Sequence, residues 1–183
     1  MKSVLIAIRP QWVEKIASGE KTIEVRKTAP QEVPFKCYIY ETKGQYVKFT
    51  HGAHTKYGYG RGKVIGEFIC DKVYSIKNRG SSFSVADEEQ SVTNEIARQS
   101  CLYYDDMVSY FGNKDGFGWH ISDLKIYDKP KELSEFSRPC SYSGLCFSCK
   151  RTSFKKDGNL LCNTKITRPP QSWMYVEDLG EEK

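Results

Sequence analysis

The chain has 183 residues, 39 % hydrophobic and 28 % charged, with 12 Tyr, 9 Phe, 3 Trp and a net charge of +5. That length and aromatic content predict one folded domain over 1–183 with its own core, and exclude two full domains or a disordered chain. The apolar run Val4 to Ile8 is too short for a signal-peptide core or a membrane span, so a cytoplasmic protein with no membrane partner is expected.

Charge is unevenly spread. Residues 1–70 carry 12 basic and 6 acidic side chains, residues 71–136 carry 8 and 12, and the remainder 8 and 5. A basic first segment suits an anionic partner through long-range attraction, although a solvated surface gives the same count.

In chain order, Ser3 to Ile8 reads as a buried first strand. Pro10 opens and Gly19 ends a stretch in which Trp12, Val13, Ile16 and Ala17 recur at helical spacing, which predicts a two-turn helix. Thr22 to Thr28 alternates, with Ile23 and Val25 on one face and Thr22, Glu24 and Arg26 on the other, so a half-buried strand is predicted. Pro30 and Pro34 punctuate a loop before Cys37 to Glu41, whose Tyr and Ile content predicts a further strand. Lys43 to Gly62 holds five glycines, two histidines and three tyrosines, and reads as a long surface loop or a splayed hairpin tip.

Val64 to Ile76 resumes a strand pattern in which Gly66 marks a bulge or a close backbone approach. Residues 78–90 read as a loop, and Thr93 to Gln99 and Tyr104 to Phe111 as helices, the second with acids at its start and Gly112 at its exit. Gly116 to Tyr127 predicts one strand, Glu132 to Phe136 a short helical stretch, and Ser172 to Val176 a last strand. Strands at both ends with helices between them argue for an α+β domain organised around a closed or nearly closed barrel.

Gly19-Glu20-Lys21-Thr22-Ile23-Glu24-Val25-Arg26 has the form G-x-K-x-x-E-x-R. It resembles the signature of the ASCH (activating signal cointegrator homology) family of the PUA-like superfamily, and the order strand, short helix, motif agrees with that family. Several phage and prophage ASCH proteins look similar from Lys2 through Trp173. The resemblance implies a PUA-like β-barrel whose cleft is lined by the motif, with RNA, another nucleic acid or a modified nucleotide as partner. Lys21, Thr22, Glu24 and Arg26 are then the ligand-binding residues: two cations and one carboxylate on one strand face suit phosphate or base-edge recognition. An ion-paired surface face would give the same residues.

One ASCH branch, the acetylcytidine amidohydrolases, resembles this chain and uses a Lys, a Thr and a Glu. Lys21 matches that lysine, but Glu24 stands where the branch has Thr, and Glu67 is only a neighbouring candidate for the separate Glu. A hydrolase acting on an acylated nucleoside, with Glu24 as base and Lys21 or Arg26 steadying the oxyanion, is one alternative function. A ribonuclease with His120 in an acid–base role is another, and a phage-encoded protein-interaction adaptor a third. His120 is also a candidate ligand-binding residue, and its isolation from any second histidine in the sequence favours a structural strand histidine.

Seven cysteines without an export signal suggest a reducing compartment, where close thiols favour metal over disulfide. Cys140, Cys146, Cys149 and Cys162 span a polar segment, 140–162, that predicts a small Cys-rich insertion closed by a structural zinc; free thiols are the alternative. Cys37, Cys70 and Cys101 read as small core residues. Trp12 and Trp119 fit core stripes, while Trp173 reads either as core or as a base-stacking ligand contact.

Overall fold

A computed structural model describes residues 1–51, 54–80, 82–140, 152–154, 160–162 and 164–180. The first strand, β1 (Lys2–Ile8), runs into α1 (Pro10–Ala17), and β2 (Ile23–Arg26) follows. Next come β3 (Phe35–Glu41), the pair β4 (Gln45–His51) and β5 (His54–Tyr59), then β6 (Val64–Cys70), β7 (Val73–Asn78) and β8 (Phe83–Val85). Helices α2 (Gln90–Ser100) and α3 (Tyr104–Phe111) precede β9 (Gly116–His120) and β10 (Ser122–Lys131). A 3-10 turn (Leu133–Glu135), β11 (Thr152–Phe154), β12 (Leu160–Cys162) and β13 (Trp173–Val176) follow. The class is α+β, mostly sheet.

Two sheets make the body: one ordered β10-β6-β3-β1-β13, the other β2-β9-β7-β8. Only the β1–β3 pairing is parallel within them. The expected single strands over Val64–Ile76 and Gly116–Tyr127 are each broken in two. The chain passes from one sheet to the other at Asp71–Lys72 and at Ile121, and the antiparallel ladder continues across the bend. Ser122 pairs with Ile69 before it, the His120 N–H donates to the Lys72 carbonyl at 2.9 Å, and Trp119 pairs with Val73 after it. The two sheets pack face to face and are joined on this side, the arrangement of the nearly closed barrel that was expected.

Between the sheets lies the main core: Val4, Ile6, Ile8, Phe35, Cys37, Ile39, Ile65, Phe68 and Cys70 from the first, Trp119 and Ile121 from the second, closed by Val13 and Ile16 of α1. The outer face of the second sheet is covered by α2 and α3, which bring Ile96, Met107 and Phe111 onto Ile23, Val25, Ile76, Phe83 and Val85. The outer face of the first sheet packs Leu5, Tyr38, Tyr40 and Val64 against Phe136, Ile166 and Val176. This explains why β2 is buried on both faces and not half-buried as its alternation suggested. One face meets the helices and the other looks into the space between the sheets.

Further differences from expectation are local. The 78–90 stretch contains β8, which adds to β7 through Ile76↔Val85 and Asn78↔Phe83. The glycine-rich 43–62 segment contains the β4–β5 hairpin, paired from Gln45↔Tyr59 to His51↔His54 with a register shift between Val47 and Phe49. Cys101 is not a core residue: it is half-buried at the C-cap of α2 with φ 54°. Gly66 behaves as expected, since the register slips beside it and a Cβ there would lie 2.5 Å from the Lys125 carbonyl oxygen.

Candidate functional site

The octapeptide Gly19–Arg26 carries the chain out of α1, through Gly19 at φ 76°, and into β2. Strand alternation sends Ile23 and Val25 to the helices and Glu24 and Arg26 into the interior. The charged heads therefore meet. Lys21 is 2 % exposed, Glu24 4 % and Arg26 9 %. Lys21 Nζ stands 3.4 Å from Glu24 Oε2, and Arg26 Nη2 stands 2.9 Å from Glu24 Oε1. One carboxylate serves two cations.

Each cation is also anchored elsewhere. Lys21 Nζ donates to the Ser100 carbonyl at 2.5 Å, and the Thr22 N–H to the Gln99 carbonyl at 3.0 Å, so this segment caps the C-terminus of α2, where positive charge is favoured. The ammonium also lies 5.4 Å from the Trp12 ring centroid. Burial lowers the pKa of Lys21, and the neighbouring Glu24 opposes that shift. Arg26 Nη2 donates to the Ala7 carbonyl of β1 at 2.7 Å.

Two buried donors at this place have no acceptor among the described residues, Arg26 Nε and the Trp119 indole N–H. Glu24 and Trp119 are directly paired across β2 and β9, so the indole sits beside the trio. On this side, away from the bend, β2 faces the β1–β13 edge through side chains: Arg26 to Ala7, the Trp173 indole N–H to Thr28 Oγ1 at 2.9 Å, and Trp119 edge-on to Trp173 at 5.7 Å.

The other expected site residues divide. Thr22 is half-buried at the start of the trio's strand, and its carbonyl accepts from the Ile121 N–H at 2.9 Å. Trp173 belongs to the seam just described, outside the trio. His120 is on the opposite face of β9 from Trp119 and pairs through Nδ1 with Asp71 Oδ1 at 2.6 Å, which lowers the Asp71 pKa. Glu67 faces away from Lys21, accepting from the Tyr127 hydroxyl at 2.5 Å on the outside of the first sheet. Of the four cysteines, Cys140 is exposed, Cys146 and Cys149 lie outside the described residues, and Cys162 ends β12 with its side chain undescribed. Sequence reasoning missed Trp12, Ser100 and Ala7 as partners of the trio; two of these act through backbone carbonyls, which carry no residue-type signal.

No protein-family model matches the chain, and no curated protein does. Solved structures do match. The ASCH protein of Zymomonas mobilis superposes with a TM-score of 0.56 at 18 % identity, covering 96 % of this chain and 88 % of that one. The chain has the ASCH fold. Two substituted forms of the same bacterial protein, one Tyr to Phe and one Ser to Ala, give TM-scores of 0.54 and 0.55 at 16 % and 17 % identity. They cover 97 % and 96 % of this chain and 91 % and 89 % of theirs. In this chain the G-x-K-x-x-E-x-R segment turns its charges inward between the sheets. No helix among the described residues is long and apolar enough to cross a membrane.

Proposed function

We propose that this protein is a nucleic-acid-binding ASCH module that takes RNA or a modified nucleotide at the Lys21, Glu24 and Arg26 trio. One observation carries the reading: two cations share a single buried carboxylate, and beside them the Arg26 Nε and Trp119 indole donors find no acceptor among the described residues. Buried donors without acceptors are rare in folded proteins, and a phosphate or base carbonyl supplies both the acceptor and the missing negative charge. The side-chain seam of Trp173, Thr28 and Arg26 gives the way in, because rotamers move where a main-chain ladder does not.

Binding of a single-stranded RNA should weaken about 20-fold between 50 and 200 mM salt if three phosphates are neutralised. The Trp119 indole and Arg26 Nε–H resonances should move on titration with the same RNA or with a mononucleotide. A flat salt response with both resonances unmoved would remove the proposal.

A second reading is hydrolysis of an acylated nucleoside or of RNA. The lowered pKa of Lys21 favours it, since the neutral amine is the form that reacts or accepts a proton. Acetylcytidine turnover by the native protein, lost in a folded Lys21→Met variant, would support it; absence of turnover in the native protein removes it.

For the 140–162 segment we propose a structural zinc held by Cys140, Cys146, Cys149 and Cys162. Four thiolates would leave no open coordination position. The reading is supported by the spacing and by the β11–β12 register, which sets Cys162 opposite Thr152, three residues past Cys149. Elemental analysis of protein purified without chelator should give one zinc per chain; a value near zero with four freely titratable thiols refutes it.

A further inference from the structure

The β4–β5 hairpin projects as a separate two-stranded sheet, and its two faces differ in kind. Its sequence ends in Tyr57-Gly58-Tyr59-Gly60, so the glycines fall on one side and the tyrosines on the other. On the glycine side the ribbon is fastened to the body. The Tyr46 ring lies against Gly58, Gly60 packs on the Thr42 carbonyl and the Pro10 ring, the Tyr46 hydroxyl bonds to Glu14 of α1, and Lys48 Nζ reaches the same carboxylate at 3.0 Å. A side chain at either glycine would collide with what holds the ribbon down.

The other side is open to solvent at its tyrosines. Tyr59 is 72 % and Tyr57 54 % exposed, and their cross-strand partners are Gln45 and the exposed Val47. Two large aromatic side chains left in water side by side on one strand need a reason. Charge supplies one. Residues 42–66 contain Lys43, Lys48, Lys56, Arg61 and Lys63 and not one Asp or Glu. Lys48, Arg61 and Lys63 meet carboxylates elsewhere in the fold, whereas Lys43 and Lys56 are exposed and make no ion pair among the described residues.

Spacing supplies the other. Residues two apart on an antiparallel strand are separated by ~6.8 Å. That is about twice the ~3.4 Å rise between stacked bases, so one base fits between two such rings. A basic ribbon with alternate aromatic rings combines backbone attraction with sequence-tolerant stacking, the pairing that single-stranded nucleic acids require and that an acidic polypeptide cannot use.

We propose that the outward face of the β4–β5 ribbon is a second contact for single-stranded nucleic acid, in which Tyr57 and Tyr59 stack on bases while the exposed Lys43 and, from the ribbon's other face, Lys56 supply the charge that draws the phosphates to it. This rests on the nucleic-acid reading above and adds a surface to it: the trio takes one nucleotide, and the ribbon holds the strand on which that nucleotide lies.

The probe is a fluorescein-labelled 12-nucleotide oligouridylate, followed by anisotropy at 50 mM salt. Tyr57→Ala/Tyr59→Ala should weaken binding at least tenfold and Tyr57→Phe/Tyr59→Phe leave it within twofold, because stacking needs the ring and not the hydroxyl. In Tyr59→Trp, oligonucleotide should quench the new indole. Unchanged binding in the double alanine variant, or an unquenched Trp with oligonucleotide bound, overturns the ribbon contact while leaving the trio's role standing. Polyglutamate of equal length that competes as well as RNA overturns it too, since attraction alone would then explain the ribbon. A native protein that binds no oligonucleotide overturns both readings together.

Discussion

At the scale of single residues the trio is unequal. Glu24 faces two cations, whereas each cation has a carbonyl besides the carboxylate. Removing the acid leaves two buried positive groups facing one another; removing Lys21 leaves Glu24 still paired with Arg26. Glu24→Gln should therefore lose about 3–5 kcal/mol of stability and Lys21→Met only about 1–3 kcal/mol, an order that urea unfolding of the two variants would check. The sign of the pH effect follows from burial. Because the folded-state pKa of Lys21 lies below 10.5, the unfolded chain binds the extra proton between the lowered value and 10.5, and the stability contribution of this group rises with pH across that window. Lys21→Met removes the rise, so the gap between native and variant unfolding free energies should widen as the solution is made alkaline.

The trio was legible in the sequence as a set of types at a spacing, and its inward direction followed from the resemblance. What the sequence did not show is that Lys21 closes the end of a helix 79 residues away in the chain. That bond ends on a carbonyl of Ser100, and every residue has a carbonyl. His120 and Glu67 illustrate the converse: each is a plausible acid or base by type, and alternation on a strand turns both away from the trio.

At the scale of elements, short apolar runs were read well and their ends poorly. The helices α1 and α3 were legible because Pro10, Gly19 and Gly112 punctuate them. The bends at Asp71–Lys72 and Ile121 were not, since a strand that passes from one sheet into another keeps its β pattern while the neighbours change. In the ribbon, glycines first read as loop formers turn out to be spacers. Gly60 is not at a positive φ, so only contact forbids a side chain there. Gly60→Ala would push a methyl group into the Thr42 carbonyl, and should lift the ribbon from α1 at a cost of about 1–3 kcal/mol. Faster amide exchange over residues 45–59, with the main core unchanged, is the expected signature; uniform protection would contradict it.

At the scale of the whole molecule, one side of the sheet pair is joined by main-chain hydrogen bonds across the bend, and the other, among the described residues, by the side chains of Arg26, Trp119 and Trp173. Of these, Trp173 meets Thr28, Trp119 and Tyr175. Trp173→Ala should remove about 2–3 kcal/mol, below the ~3–5 kcal/mol of a fully buried tryptophan because this ring is only partly buried. Iodide should then quench Trp119, which is 0 % exposed in the native fold. An unquenched Trp119 would show that other groups seal the seam.

The bend at Asp71–Lys72 and Ile121 gives the molecule a spine, and the Trp173 margin is its fore-edge. Two leaves bound along one line part only at the opposite line. On the binding reading proposed above, a ligand of the trio would come in from the fore-edge, and in parting the leaves it would displace a tryptophan from its hydroxyl partner. Arrival at the trio would therefore be written in the spectrum of a residue that does not itself belong to it.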